Sequence, residues 1–124
     1  MGPVDGLHQV AQRANDLDVS VAFYRDVLGL RFIARFDPPG LAFFDLGGSR
    51  LLLEQGAPAA LLYLHVPDVD AAHEQLVAAG VEFESPPHTI FTDEAGQFGP
   101  AGEEERMASF RDPAGNLVAI AGRR

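Results

Sequence analysis

Among the 124 residues, the side chains able to do chemistry fall into two groups. Arg13 and His65 stand about 52 positions apart, the same interval at which a larger pattern repeats. In an extended strand every second side chain faces the same way, so Arg13 shares a face with Gln9, and His65 shares one with Leu61 and Tyr63. A guanidinium and an imidazole at matching places suit an anionic or carbonyl group, with His65 able to move a proton near neutral pH. The second group is His88 with Phe91, Phe98 and Met107, where a long irregular stretch offers a binding surface. His8, expected on the opposite strand face, and His73, on a helix, are given no role. The chain has no Gly-x-Ser-x-Gly elbow, no phosphate-binding glycine loop and no cysteine nucleophile.

The elements that must position these groups are organised around Asp16 to Phe32. Leu17, Val21, Phe23, Tyr24, Val27 and Leu28 fall at three- and four-residue steps, which places them along one side of a helix. Asp16 or Asp18 can cap its start, and Gly29 can take the left-handed conformation that ends it. Leu30 and Phe32 then alternate with Arg31 as a strand begins. The plan recurs: Asp68-Val69-Asp70 echoes Asp16-Leu17-Asp18, and Gly80 before Val81 and Phe83 echoes Gly29 before Leu30 and Phe32. The chain reads as a duplicated unit.

In order, strands are expected over 7–14, 30–36, 41–46 and 49–55, the last two forming a hairpin across Gly47-Gly48. Asp37-Pro38-Pro39-Gly40 is a turn, and Gly56-Ala57-Pro58 joins the two units. The second unit opens with a strand over 60–66 and a helix after Pro67-Asp68 in which Val69, Ala72, Leu76 and Val77 suit burial. A strand over 81–84 follows, and Ser85 to Glu105 reads as one long loop, with Glu103-Glu104-Glu105 as a solvated acidic run. Met107–Arg111 and Asn116–Ala121 close the unit around Asp112-Pro113-Ala114-Gly115. Residues 1–124 therefore make a single domain, with unit one over about 6–56 and unit two over about 59–122.

Such a chain is long enough to bury a core without disulfides or a structural metal. A formal net charge of −9 argues against nucleic acid and anionic membrane surfaces as partners. No apolar run approaches the roughly 20 residues of a membrane helix, and MGPVDGLHQV lacks the pattern of a secretory signal. A cytoplasmic location is the expectation.

FYRDVLGL, from Phe23 to Leu30, together with FRDPAGNLVAI, from Phe110 to Ile120, resembles the vicinal oxygen chelate superfamily. That group includes glyoxalase I, bleomycin-resistance proteins, extradiol dioxygenases and methylmalonyl-CoA epimerase. The resemblance covers nearly the whole chain and implies an α+β fold. Two tandem βαβββ units would form a curved, partly open mixed sheet with the helices outside and the ligand in the hollow. It also implies a homodimer.

Members that do chemistry usually hold a divalent metal with side chains from the first and last strand of each unit, using it as a Lewis acid. Carried over residue by residue, the first unit offers Gln9 and Glu54. In the second unit the usual histidine and glutamate positions fall on Leu61 and Ala119, which cannot coordinate. No metal cofactor is therefore expected, and a small organic molecule would be bound by Gln9, Arg13, Glu54, Tyr63, His65, His88, Phe91 and Met107. Two alternatives stand beside this one. One is a metal-dependent lyase, isomerase or dioxygenase with one divalent ion and an unorthodox ligand set from Gln9, Glu54, His65 and His88. The other is an interaction domain whose hollow its own side chains fill.

Overall fold

The computed structural model describes residues 2, 3 and 5–124; Met1 and Val4 of the amino-terminal stretch lie outside the described residues. By contacts the chain divides into two compact units, Met1–Ala60 with Pro113–Asn116, and Leu61–Asp112 with Leu117–Arg124. Each carries the βαβββ order the sequence implies, built on a four-stranded mixed sheet, so the fold is α+β and tandem.

In the first unit β1 (Gln9–Arg13) leads to α1 (Leu17–Ala22), then to β2 (Arg31–Phe36), β3 (Leu41–Asp45) and β4 (Arg50–Glu54). The strands lie in the order β1-β4-β3-β2, with β1 parallel to β4. Asp16 caps α1, its carboxylate accepting from the Val19 N–H at 3.3 Å. The helix expected to run unbroken to Leu28 changes after Ala22 into a π-helical turn over Phe23–Val27, closed by the Leu28 N–H on the Phe23 carbonyl. The wider turn swings Tyr24 into full burial against Phe44, ring centroids 6.0 Å apart, under the sheet face that also carries Ala42, Leu51 and Leu53. Gly29 ends the segment at φ 75°, as its position predicts.

Gln12 lies on that same helix-facing side, in register with Leu53, fully buried, and neither end of its amide meets a protein partner. A buried polar pair in this state costs free energy that a thioether of similar shape does not. Gln12→Met is accordingly expected to raise unfolding stability by about 1 kcal/mol. Urea denaturation checks this, and an unchanged or lower midpoint would show that the amide is satisfied in solution.

The second unit repeats the plan with β5 (Leu62–His65), α2 (Val69–Ala78), β6 (Phe83–Asp93), β7 (Glu103–Arg111) and β8 (Leu117–Arg123), ordered β5-β8-β7-β6. Asp68 caps α2 through the Ala71 N–H at 3.1 Å, and α2 packs on the sheet face bearing Phe83 and Phe110. His73 belongs to this packing, its ring centroid 4.4 Å from that of Phe83.

The expectation of one long loop from Ser85 to Glu105 is overturned. Residues 85–93 continue β6, 103–105 begin β7, and only 94–102 is loop. Pro86 and Pro87, which suggested irregular chain, sit in the edge strand of the sheet, where a missing N–H leaves no ladder bond unmade, and shifts of register absorb them. His88 and Phe91 are strand residues, and Glu103-Glu104-Glu105 is the start of a central strand. No described helix is long and apolar enough to cross a membrane.

Candidate functional site

Each sheet has one face under its helix and one turned away from it. In the first unit the register places Gln9, Ala11 and Arg13 on the face away from α1, opposite Arg50, Leu52 and Glu54 of β4. Arg50, which the sequence reading did not single out, dominates that surface. Its Nε and Nη2 donate to the Gln9 side-chain oxygen at 3.1 and 2.9 Å, Nη2 lies 3.2 Å from His8 Nε2, and the guanidinium sits 5.7 Å from the Phe43 ring centroid. His8 was expected to face away from Gln9; it precedes the regular strand and reaches the same guanidinium. Arg13 is exposed, its Nε donating to the Ala57 carbonyl at 3.2 Å, while its own carbonyl accepts from Asn116 Nδ2 at 2.7 Å.

In the second unit the corresponding face carries successive rows across the four strands. Tyr63, Ala119, Ser109 and Ser85 make one row, and His65, Ala121, Met107 and His88 the next. Arg123, Glu105 and Phe91 make a third. Five of the residues singled out from the sequence, Tyr63, His65, His88, Phe91 and Met107, therefore share one side of one sheet. His65 and His88 are separated by three strand spacings, about 14 Å, too far for both to ligate one ion. His88 Nδ1 lies 2.7 Å from the Pro86 carbonyl and 3.3 Å from Ser85 Oγ, which orients its ring. Phe91 packs against Phe98 with centroids 5.6 Å apart and the rings tilted at 59°.

A cavity of about 260 Å³ opens among Tyr63, His65, Glu105 and Arg123, with Pro67, Ala121 and Gly122 as its floor. Beyond the 94–102 loop, Asp93 is buried and accepts from the N–H groups of Gln97 and Phe98, both at 2.9 Å, and from Arg123 Nη2 at 3.0 Å. The Phe98 amide above all, then that of Gln97 and the Arg123 guanidinium, holds the Asp93 carboxyl below the usual range against the opposing effect of burial. The Thr89 hydroxyl, followed by Arg124 and Arg106, does the same for Glu104. A second cavity, about 240 Å³, lies at the start of α2 beside Arg106 and Arg124, but both guanidinium groups already bind Asp70.

The internal repeat tests whether these residues fit the superfamily's metal. The Ala14 N–H bonds the Glu54 carbonyl as the Val66 N–H bonds that of Ala121, so Glu54 matches Ala121 and the residue matching Ala119 is Leu52. The four places thus hold Gln9, Leu52, Leu61 and Ala119. Three are hydrocarbon, and the one oxygen, on Gln9, accepts from a cation. Leu61 lies just outside β5 and is half exposed. Among the described residues no three His, Cys, Asp or Glu side chains cluster as a metal site would require. The residues present do not fit a conventional divalent metal.

Comparison with known proteins agrees with the fold. The uncharacterized protein YraH of Bacillus subtilis (strain 168) is 31% identical over 132 residues, spanning 92% of this chain and 95% of that protein. The crystal structure of lactoylglutathione lyase from Agrobacterium tumefaciens is similar with a TM-score of 0.74 at 27% identity, covering 97% of this chain and 95% of that one. TnmS3, an antibiotic binding protein from Streptomyces sp. CB03234, is similar in fold with a TM-score of 0.75 at 20% identity, over 97% of both chains. The model of the Glyoxalase/Bleomycin resistance protein/Dioxygenase superfamily matches residues 6–120, and the chain belongs to that family.

Proposed function

We propose that this protein binds a small organic molecule on the face of its second sheet turned away from α2, without the metal usual in its superfamily. The observation that carries the reading is the cavity bounded by Tyr63, His65 and Glu105 over the small residues Ala121 and Gly122. Its volume lies just below the usual range for small-molecule sites, which suits a small ligand, and apolar lining with a few polar groups is their usual chemistry. Met107, His88 and the Phe91–Phe98 pair extend the same surface. Sequestration as the role is in keeping with the similarity in fold to TnmS3, an antibiotic binding protein. The metal-dependent lyase, isomerase or dioxygenase alternative would need donor atoms that Leu52, Leu61 and Ala119 do not carry. Pairing of two copies, implied by the superfamily resemblance, and a cytoplasmic location are part of the proposal.

A thermal-shift screen of small aromatic compounds tests it. A compound present at a hundred times its dissociation constant is expected to stabilise the protein by about 2.7 kcal/mol. Ala121→Leu, which fills the floor, should abolish the response while the variant still unfolds cooperatively. Metal analysis after purification without chelators should find no stoichiometric transition ion, and chelator should leave ligand binding unchanged. A bound stoichiometric ion lost in Glu54→Ala would overturn the metal-independent reading.

A further inference from the structure

The three glutamates that open β7 are not equivalent. Glu104 accepts from the Thr89 hydroxyl at 2.8 Å and pairs with Arg124. Glu103 takes Arg123 Nε at 3.0 Å. Glu105, half-buried and lining the cavity, makes no side-chain hydrogen bond or ion pair among the described residues. Its neighbour across the ladder is Arg123, but that guanidinium is drawn the other way, onto Glu103 and Asp93. Three carboxylates thus stand around one cation, and the uncompensated one is the one facing the cavity.

Rings surround it. Phe91 is its partner on β6 and packs at a tilt against Phe98, while Tyr63 and His65 share the cavity wall. We infer that the ligand is an organic cation, a protonated or quaternary nitrogen carried on a planar body, with its charge at Glu105 and its rings among Tyr63, Phe91 and Phe98. A half-buried carboxylate loses hydration when an apolar body covers the cavity, and only a cation or a strong donor compensates that loss. The negative faces of the aromatic rings favour the same sign of charge. Arg123, which also lines the cavity, is held by Glu103 and Asp93, so an anion entering there would face Glu105 with that cation already engaged by two carboxylates.

This inference rests on the ligand-binding reading above, and one experiment separates their failures. Benzylammonium, benzyl alcohol and benzoate share a ring and differ in charge at pH 7. Each is titrated into the full-length protein while the NMR signals of Tyr63 and His65 are followed. Benzylammonium is expected to bind on the order of tenfold more tightly than benzyl alcohol, with benzoate weakest. Glu105→Gln should make the amine and the alcohol equal, and Glu82→Gln, which removes the same charge from an exposed position, should leave the preference intact. Equal binding of all three, or a preference that survives Glu105→Gln, overturns the cation assignment and leaves small-molecule binding standing. No saturable shift at Tyr63 or His65 with any probe overturns both.

Discussion

Gly122→Ala is expected to destabilise the protein by about 3 kcal/mol, as overpacking against an immovable neighbour does. A Cβ built at this position strikes the Val66 carbonyl oxygen and comes within 3.6 Å of Val69 Cγ2. Neither can yield easily. The Val66 N–H is tied to the Ala121 carbonyl at 2.9 Å, and Val69 is buried at the first turn of α2. The added methyl therefore has to push the junction of β5 and α2 away from β8, across the floor of the proposed binding cavity. Urea denaturation would measure the loss. A change below about 0.5 kcal/mol, the range of an ordinary surface substitution, would show that the junction gives way freely.

Asp93→Ala is expected to release the 94–102 loop. One carboxylate holds that loop by two amides and a guanidinium, and its backbone carbonyl accepts from Gly96 and Gly102 besides. Without the side chain the N–H groups of Gln97 and Phe98 lose their acceptor, and chymotryptic cleavage at exposed Phe98 should accelerate on the order of tenfold. The pH dependence has a definite sign. Because the folded state depresses the Asp93 pKa, its contribution is fully present above the unfolded value of about 3.9. It is lost as the pH falls through the lower folded value. Denaturant midpoints measured between neutral and acid pH should show that component in the wild type and lack it in Asp93→Asn. Unchanged cleavage in Asp93→Ala would mean that the loop is held from elsewhere.

The duplicated plan was readable because it is local. Asp16 and Asp68 cap helices, and Gly29 and Gly80 end them at positive φ, so the unit boundaries follow from residues that act on their own neighbours. What escaped was whatever depends on a partner strand. Pro86-Pro87 looks like loop until the strand order places it at an edge, and with that the acidic run at 103–105 changes from solvated loop to a strand with one unpaired carboxylate. Glu54 was chosen as a donor by counting along the sequence, whereas the parallel pairing of β1 with β4 puts Leu52 at the matching place. Arg50 gave no signal at all, because its importance lies in a bond to Gln9 about 41 residues away. The π-helical turn at Phe23 was equally hidden, since three- and four-residue spacing accommodates one wider turn without losing its apolar side.

The two prolines of β6 have a consequence for how copies of this chain can meet. An outermost strand normally exposes a row of amide donors on which a second molecule can continue the sheet, the commonest route to uncontrolled fibre-like association. Here Pro86 and Pro87 leave the middle of β6 without two amide donors, and the shift of register between Ser85 and His88 bends the strand there. Strand addition along this border is thereby disfavoured, and a second copy continuing the sheet would find a broken row of donors there.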